Sequence, residues 1–179
     1  MGTSRDESRR QQERLRLRFR PARVELLFVG ESPPASCRFF YQGDSGLYRA
    51  MREAFCTVDS LISDTNFLGV FQTSGCYLID LCREPVDQLD ARSRLAACMA
   101  AETSLSRTIG RLRPSKIVTV VRSIEANVAR AAFRAGWHGP LLHLPYPARW
   151  SRHKDRFVKE LVASIIEVIA QQHHLDLAS

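Results

Sequence analysis

The chain lacks any Cys-x-x-Cys pair. Its five cysteines, Cys37, Cys56, Cys76, Cys82 and Cys98, are odd in number and scattered, a spacing that indicates neither a disulfide framework nor a zinc ribbon. They read as reduced thiols, mostly small core residues. Long apolar runs are also missing: none approaches the length of a bilayer span, and the N-terminus opens on arginines and acids where a secretory signal would carry an apolar core. The sequence therefore predicts a cytoplasmic protein without membrane contact.

Evenly spread charge is absent as well. The formal net charge is +7, but residues 1–23 hold eight arginines against Asp6, Glu7 and Glu13, and so carry +5 of that excess. A second basic cluster, Arg149, Arg152, Lys154, Arg156 and Lys159, meets only Asp155 within its span. Basicity confined to two places suits a phosphate-facing edge better than a uniformly cationic surface. What remains is ordinary: 179 residues, 45% hydrophobic and 25% charged, enough apolar material for one core and one domain. The division expected is a basic N-terminal arm or helix over 1–23 and a single α/β domain over 24–179.

Four short apolar runs read as strands: VELLFVG at 24–30, CYLIDL at 76–81, KIVTVV at 116–121 and PLLHL at 140–144. Near-continuous runs of this kind, separated by helical patterns, predict a short four-stranded parallel sheet covered on both faces, a three-layer α/β/α fold of βαβ units. Cys98, Glu102, Leu105, Ile109 and Leu112 share one helical face, closed by Pro114. Ser123 is placed to cap a helix over 124–135 that Gly136 ends, and a last helix should run from Ser151 to Gln171, burying Phe157, Leu161, Ile165 and Ile169. Residues 45–56 and 58–68 fit two shorter helices, with Gly69 and Gly75 marking a loop. The segment SRRQQERLRLRFR has two readings: a solvated helix laid over the core by Leu15, Leu17 and Phe19, or a nucleic-acid-contacting arm, which rests on charge alone. The three acids disfavour a mitochondrial presequence.

In an open parallel sheet, ligands bind beyond the carboxyl ends of the strands, so the loops after Gly30, Leu81, Val121 and Leu144 should line any site. Two of them are unusual. Gly30-Glu31-Ser32-Pro33-Pro34-Ala35 places a carboxylate one residue past a buried strand and then stiffens the turn. Leu144-Pro145-Tyr146-Pro147-Ala148-Arg149 holds a polar aromatic between prolines.

These fragments resemble the uracil-DNA glycosylase superfamily. GESPP is similar to its GxxPG motif in the GEAPG form, and LPYPA to its HPS motif. Tyr41-Gln42-Gly43-Asp44-Ser45-Gly46 resembles the FVGxxG segment that supplies an aromatic platform. YLIDLCREP resembles the strand that ends in a base-reading Asn, and Leu112-Arg113-Pro114-Ser115-Lys116-Ile117-Val118 the approach to the third strand. Order and spacing carry the resemblance over residues 24–160. It implies a monofunctional DNA glycosylase acting on a flipped-out damaged or modified base, cleaving the base–sugar bond with water. Glu31 stands where the family keeps the water-positioning carboxylate, unless it only caps the turn. Ser32, Pro33 and the amides of 31–35 would hold the base edge or a phosphate. Tyr41, or Phe40 if the register slips by one, would stack on the base, worth on the order of 1–3 kcal/mol, while at least one ring of Phe39-Phe40-Tyr41 belongs to the core. Arg149, Arg152 and Lys154 would contact phosphates, giving position and not sequence.

The departures matter. Asp80 replaces the base-reading Asn; ionised, it only accepts hydrogen bonds and would repel a carbonyl edge unless protonated. Alternatively it turns away, to Arg83 or a turn. Tyr146 replaces the usual His and Ala148 the usual Ser, so Tyr146 would assist base departure as a neutral donor, or wedge or stack against nucleic acid, or simply cover the sheet end. The N-terminal cysteine pair of the iron–sulfur branch is missing, so no cofactor is expected, and no metal: His143 reads as a satisfied core histidine, and His173 and His174 lie in a polar tail. The expected partner is DNA, and the expected state a monomer. A catalytically weak nucleic-acid or nucleotide-binding relative is the competing expectation, and a partner-binding domain a third.

Overall fold

The computed structural model of the chain describes residues 2–36, 38–147 and 151–176. Helix α1 (Gly2–Arg18) leads into strand β1 (Leu26–Gly30). Helices α2 (Gly46–Val58) and α3 (Phe67–Thr73) precede β2 (Cys76–Asp80). Helix α4 (Ala91–Leu112) precedes β3 (Lys116–Thr119), α5 (Glu125–Arg134) precedes β4 (Leu141–His143), and α6 (Ser151–Asp176) closes the chain. The four strands form one parallel sheet in the order β2-β1-β3-β4. Helix α4 packs on α5 and α2 on α6, which gives the three-layer α/β/α arrangement expected from the apolar runs. Its central strand, β1, is buried at every residue, whereas β4, at the edge and only three residues long, is half-buried throughout.

Where the helices depart from expectation, local hydrogen bonds explain it. Residues 58–68 do not form one helix, because Asp59 and Asn66 draw the chain into side-chain-closed turns. The Leu61 amide donates to Asp59 Oδ1 (2.9 Å), the Ser63 amide to Asn66 Oδ1 (2.7 Å), and Asn66 Nδ2 donates to the Leu61 carbonyl (3.1 Å). Such bonds offer the backbone an alternative to the helical ladder. Helix α3 begins only afterwards, anchored by buried Phe67 and Phe71, and Gly69 lies inside it instead of marking a loop. Gly136, at φ 64°, ends α5 as expected. Helix α1 lies on the core through Leu15, and the turn after it through Phe19, whose ring stacks on Tyr41 at 5.8 Å, but Leu17 is 52% exposed and takes no part.

The seam between α4 and α5 holds a buried carboxylate. Glu102, on the apolar face of α4, accepts from Asn127 Nδ2 (2.9 Å) and from Arg130 Nε (2.9 Å), and pairs with Arg134 (3.2 Å). These donors, Arg130 first, hold its carboxyl below the usual range. Asn127 is buried and depends on this bond. Glu102→Leu should therefore destabilise the fold by about 1–3 kcal/mol, read as a lower urea midpoint, since it orphans a buried amide. Because the folded value is depressed, the ionised Glu102 stabilises at neutral pH, and that contribution is lost as pH falls through it. The Leu variant should lack this acid-side loss.

Candidate active-site cleft

Gly30 and Asp80 are register partners at the ends of β1 and β2, so the loops that follow leave the sheet side by side. The ladder continues past them: the Leu81 amide donates to the Gly30 carbonyl and the Cys82 amide to that of Glu31, each at 2.8 Å. This fixes the Glu31 backbone. A side chain at position 30 would put its Cβ 2.7 Å from Asp80 Oδ1, so glycine is what lets Asp80 lie across the strand end.

A cavity of about 330 Å³ opens there. Glu31, Ser32, Pro33, Phe40, Asp80 and Tyr146 all line it, which brings the two proline-braced turns together around one space. Tyr41 does not. Its ring is 2% exposed, and its hydroxyl both accepts from the Leu78 amide (2.8 Å) and donates to the Leu78 carbonyl (3.0 Å), making it a buried strut between the aromatic turn and β2. Of the two aromatic alternatives, Phe40 faces the cleft, although only 4% of it is exposed, with Phe39 beside it. Ser32 has a structural task as well, since its hydroxyl accepts from the Val86 amide (3.2 Å) and ties the loop to the segment after β2.

Three carboxylates line the cleft: Asp87 accepts from the Ala35 amide at 3.2 Å, and the other two, Glu31 and Asp80, are each held by an arginine. Arg94 grips Glu31 with both ends of its fork, Nε to Oε1 at 2.8 Å and Nη2 to Oε2, and Ser123 Oγ donates to Oε1 at 3.2 Å. Glu31 therefore does not cap its own turn, and Ser123 does not cap α5, whose first residues carry no side-chain cap. Oε1 accepts two bonds from these groups and Oε2 one, which leaves an acceptor direction on Oε2 for a further donor. Asp80 Oδ2 accepts from Arg16 Nη2 of α1 at 3.0 Å, so its partner is Arg16 and not Arg83. Burial pushes the Asp80 carboxyl up to about 6; Arg16 opposes the rise and Glu13 adds to it. Tyr146, 43% exposed at the mouth, has its phenol pushed up by partial burial and then by the Asp80 charge, and so stays a neutral donor at physiological pH.

The basic cluster fares differently. Arg149 and Ala148 lie outside the described residues. Arg152 is exposed, and Lys154 spends its charge on Glu53 of α2 at 2.6 Å; neither lines the cleft. His143 is half-buried and bonded to Thr119 Oγ1 through Nδ1 at 2.7 Å. Nothing is described of the side chains of His173 and His174. Among the described residues no helix is long and apolar enough to cross a membrane, and no group of three metal-ligating side chains is found.

The sequence does not mark Arg16 or Arg94 as cleft residues, and it offers Ser123 only as a helix cap. Arg94 carried one signal: it sits in the first turns of α4, where a cation opposes the helix dipole, a position that makes sense when a carboxylate elsewhere in the fold claims it. Comparison with known proteins does not name the cleft: no family model matches the chain, and no curated protein does.

Proposed function

We propose that the cleft receives an extruded nucleobase and that the chain is a monofunctional DNA glycosylase, a cytoplasmic monomer that hydrolyses the bond between a damaged or modified base and deoxyribose. The observation that carries this reading is the convergence of Glu31, Asp80, Tyr146 and Phe40 from four separate segments on one cavity at the carboxyl ends of the strands. A water held by Glu31 Oε2 attacks C1′ as the C1′–N bond breaks. Its proton passes to the carboxylate, whose charge also offsets the positive charge gathering on the sugar, and the base leaves with the bonding electron pair. Tyr146 donates a hydrogen bond to the departing anion, Phe40 flanks the ring, and Asp80 meets the base edge. Arg94 and Ser123 hold Glu31 in one orientation, which is the positioning that water attack requires.

The test is an oligonucleotide assay. Duplex and single strands carrying uracil, hypoxanthine, xanthine or 5-substituted pyrimidines are incubated with the protein and scored for alkali-sensitive abasic sites, which this reading predicts for at least one base. A second reading, a nucleotide- or nucleic-acid-binding domain with little catalysis, is favoured by one observation: Glu31 and Asp80 already carry arginine partners. It predicts salt-dependent binding without release.

Asp80 makes the glycosylase reading pH-sensitive in a defined direction. Below about 6 the carboxyl is protonated and can donate to a carbonyl edge; above it, it can only accept from an N–H edge. The ratio of uracil release to release of an amino-edged base should rise about a hundredfold between pH 7 and pH 5. The ratio is the proper readout because the raised value also affects the fold: the contribution of Asp80 to stability is full below its ordinary range and is lost as pH rises through about 6.

A further inference from the structure

A second cavity, of about 380 Å³, lies between α1, the end of β2 and α4, and shares Pro33 and Asp80 with the first as a common wall. Its lining is cationic: six arginines face it against the carboxylates of Glu13 and Asp80. Arg9 is paired with Glu84, and Arg16 with Glu13 and Asp80. The guanidinium groups of Arg10, Arg20, Arg83 and Arg111 have no carboxylate partner among the described residues, and all four residues are exposed. Four unneutralised arginines lining one recess repel one another, and together they concentrate positive potential in a concave space. On α1, Arg9, Glu13 and Arg16 follow helical spacing along one face, and Arg20 lies just past the helix end.

The geometry points to a binding site for nucleic-acid phosphates in this recess, one that seats the strand flanking the nucleotide whose base enters the neighbouring cleft. The common wall decides the geometry. A base against the Asp80 side of that wall leaves its own backbone to cross Pro33, and the next phosphates fall among Arg20, Arg83 and Arg111. Arg16 lines the recess and contacts two residues that line the cleft, since it bonds Asp80 and lies over the Phe39 ring at 5.7 Å. The basic N-terminal segment thereby acts as a folded helix that presents its arginines from one side of a groove.

The identity of the strand rests on the nucleobase reading of the cleft, but its test does not require cleavage. Binding of a labelled, undamaged single-stranded oligothymidylate to the full chain is measured by fluorescence anisotropy across a salt series. Removing two phosphate contacts from a single strand should flatten the slope of log K against log salt by about 1.4, equivalent to about 25-fold weaker binding at 0.1 M salt. Arg20→Gln/Arg111→Gln should show this loss. Arg23→Gln/Arg113→Gln, at the amino ends of the strands and lining neither cavity, should not. An unchanged slope in the first variant, or equal losses in both, overturns the site, whether or not the protein releases bases. Displacement of the strand by micromolar thymidine monophosphate would overturn it too, by assigning the recess to free nucleotides. Base release with an unaltered salt slope would leave the glycosylase reading standing and remove only the recess.

Discussion

Glu31→Gln is expected to lower base release by about 10²–10⁴-fold, with little change in affinity for the strand. The amide keeps one acceptor oxygen for Arg94 and Ser123 but turns an NH₂ group toward the other Arg94 nitrogen, where donor meets donor. It can neither take a proton from water nor offset charge on the sugar. Two consequences must be separated, because the same substitution breaks an ion pair between Arg94, which is 38% exposed, and Glu31, which is 11% exposed. Loss of stability and loss of rate are therefore both expected. Glu31→Gln/Arg94→Gln removes the unmatched cation and should recover much of the stability, read as Tm, while base release stays low. Recovery of rate in the double variant would mean that Glu31 serves only to hold Arg94.

Asp80→Asn is expected to shift the preference for uracil over an amino-edged base by at least about 10²-fold, because a site with the wrong hydrogen-bonding group leaves a buried polar atom unpaired. Asn keeps a carbonyl oxygen for Arg16 and gains a donor for the base, and it does not titrate. The pH dependence of the release ratio should vanish in the same variant. Competition assays with the two substrates in one reaction measure this ratio directly. If the preference and its pH dependence both survive, Asp80 serves only to anchor α1 through Arg16.

Much of the fold was legible because the apolar runs are continuous. Buried parallel strands need apolar residues on both faces, and all four runs predicted proved to be strands, each a little shorter than its run, with flanking residues such as Leu81 still bonded to a neighbouring strand. Glu25 shows the same at the other end: its amide donates to the Gly75 carbonyl at 2.8 Å and its carbonyl accepts from the Lys116 amide at 2.9 Å, while its side chain binds Ser115 and Arg23. The turns were less legible. Asp59 and Asn66 carry the right chemistry for side-chain-closed turns, but their effect depends on which amides lie in reach. In the cleft, the residues on the loops after β1 and β4 followed from strand ends alone. The choice between Phe40 and Tyr41 did not, since one residue of rotation in a short turn decides which ring faces the cavity and which bonds Leu78. Nor did the arginine clamps: Arg94 and Arg16 meet Glu31 and Asp80 across 63 and 64 positions of sequence, contacts that only the packing of α4 and α1 creates.

The most direct measurement is a crystal structure of the protein with a short oligonucleotide carrying a fluorinated deoxyuridine whose glycosidic bond resists hydrolysis. The account predicts the base inside the cleft, its edge at Asp80, its face toward Phe40, and C1′ turned toward Glu31 Oε2. A strand bound elsewhere, or an extruded nucleotide whose sugar lies beyond reach of Glu31, would contradict it.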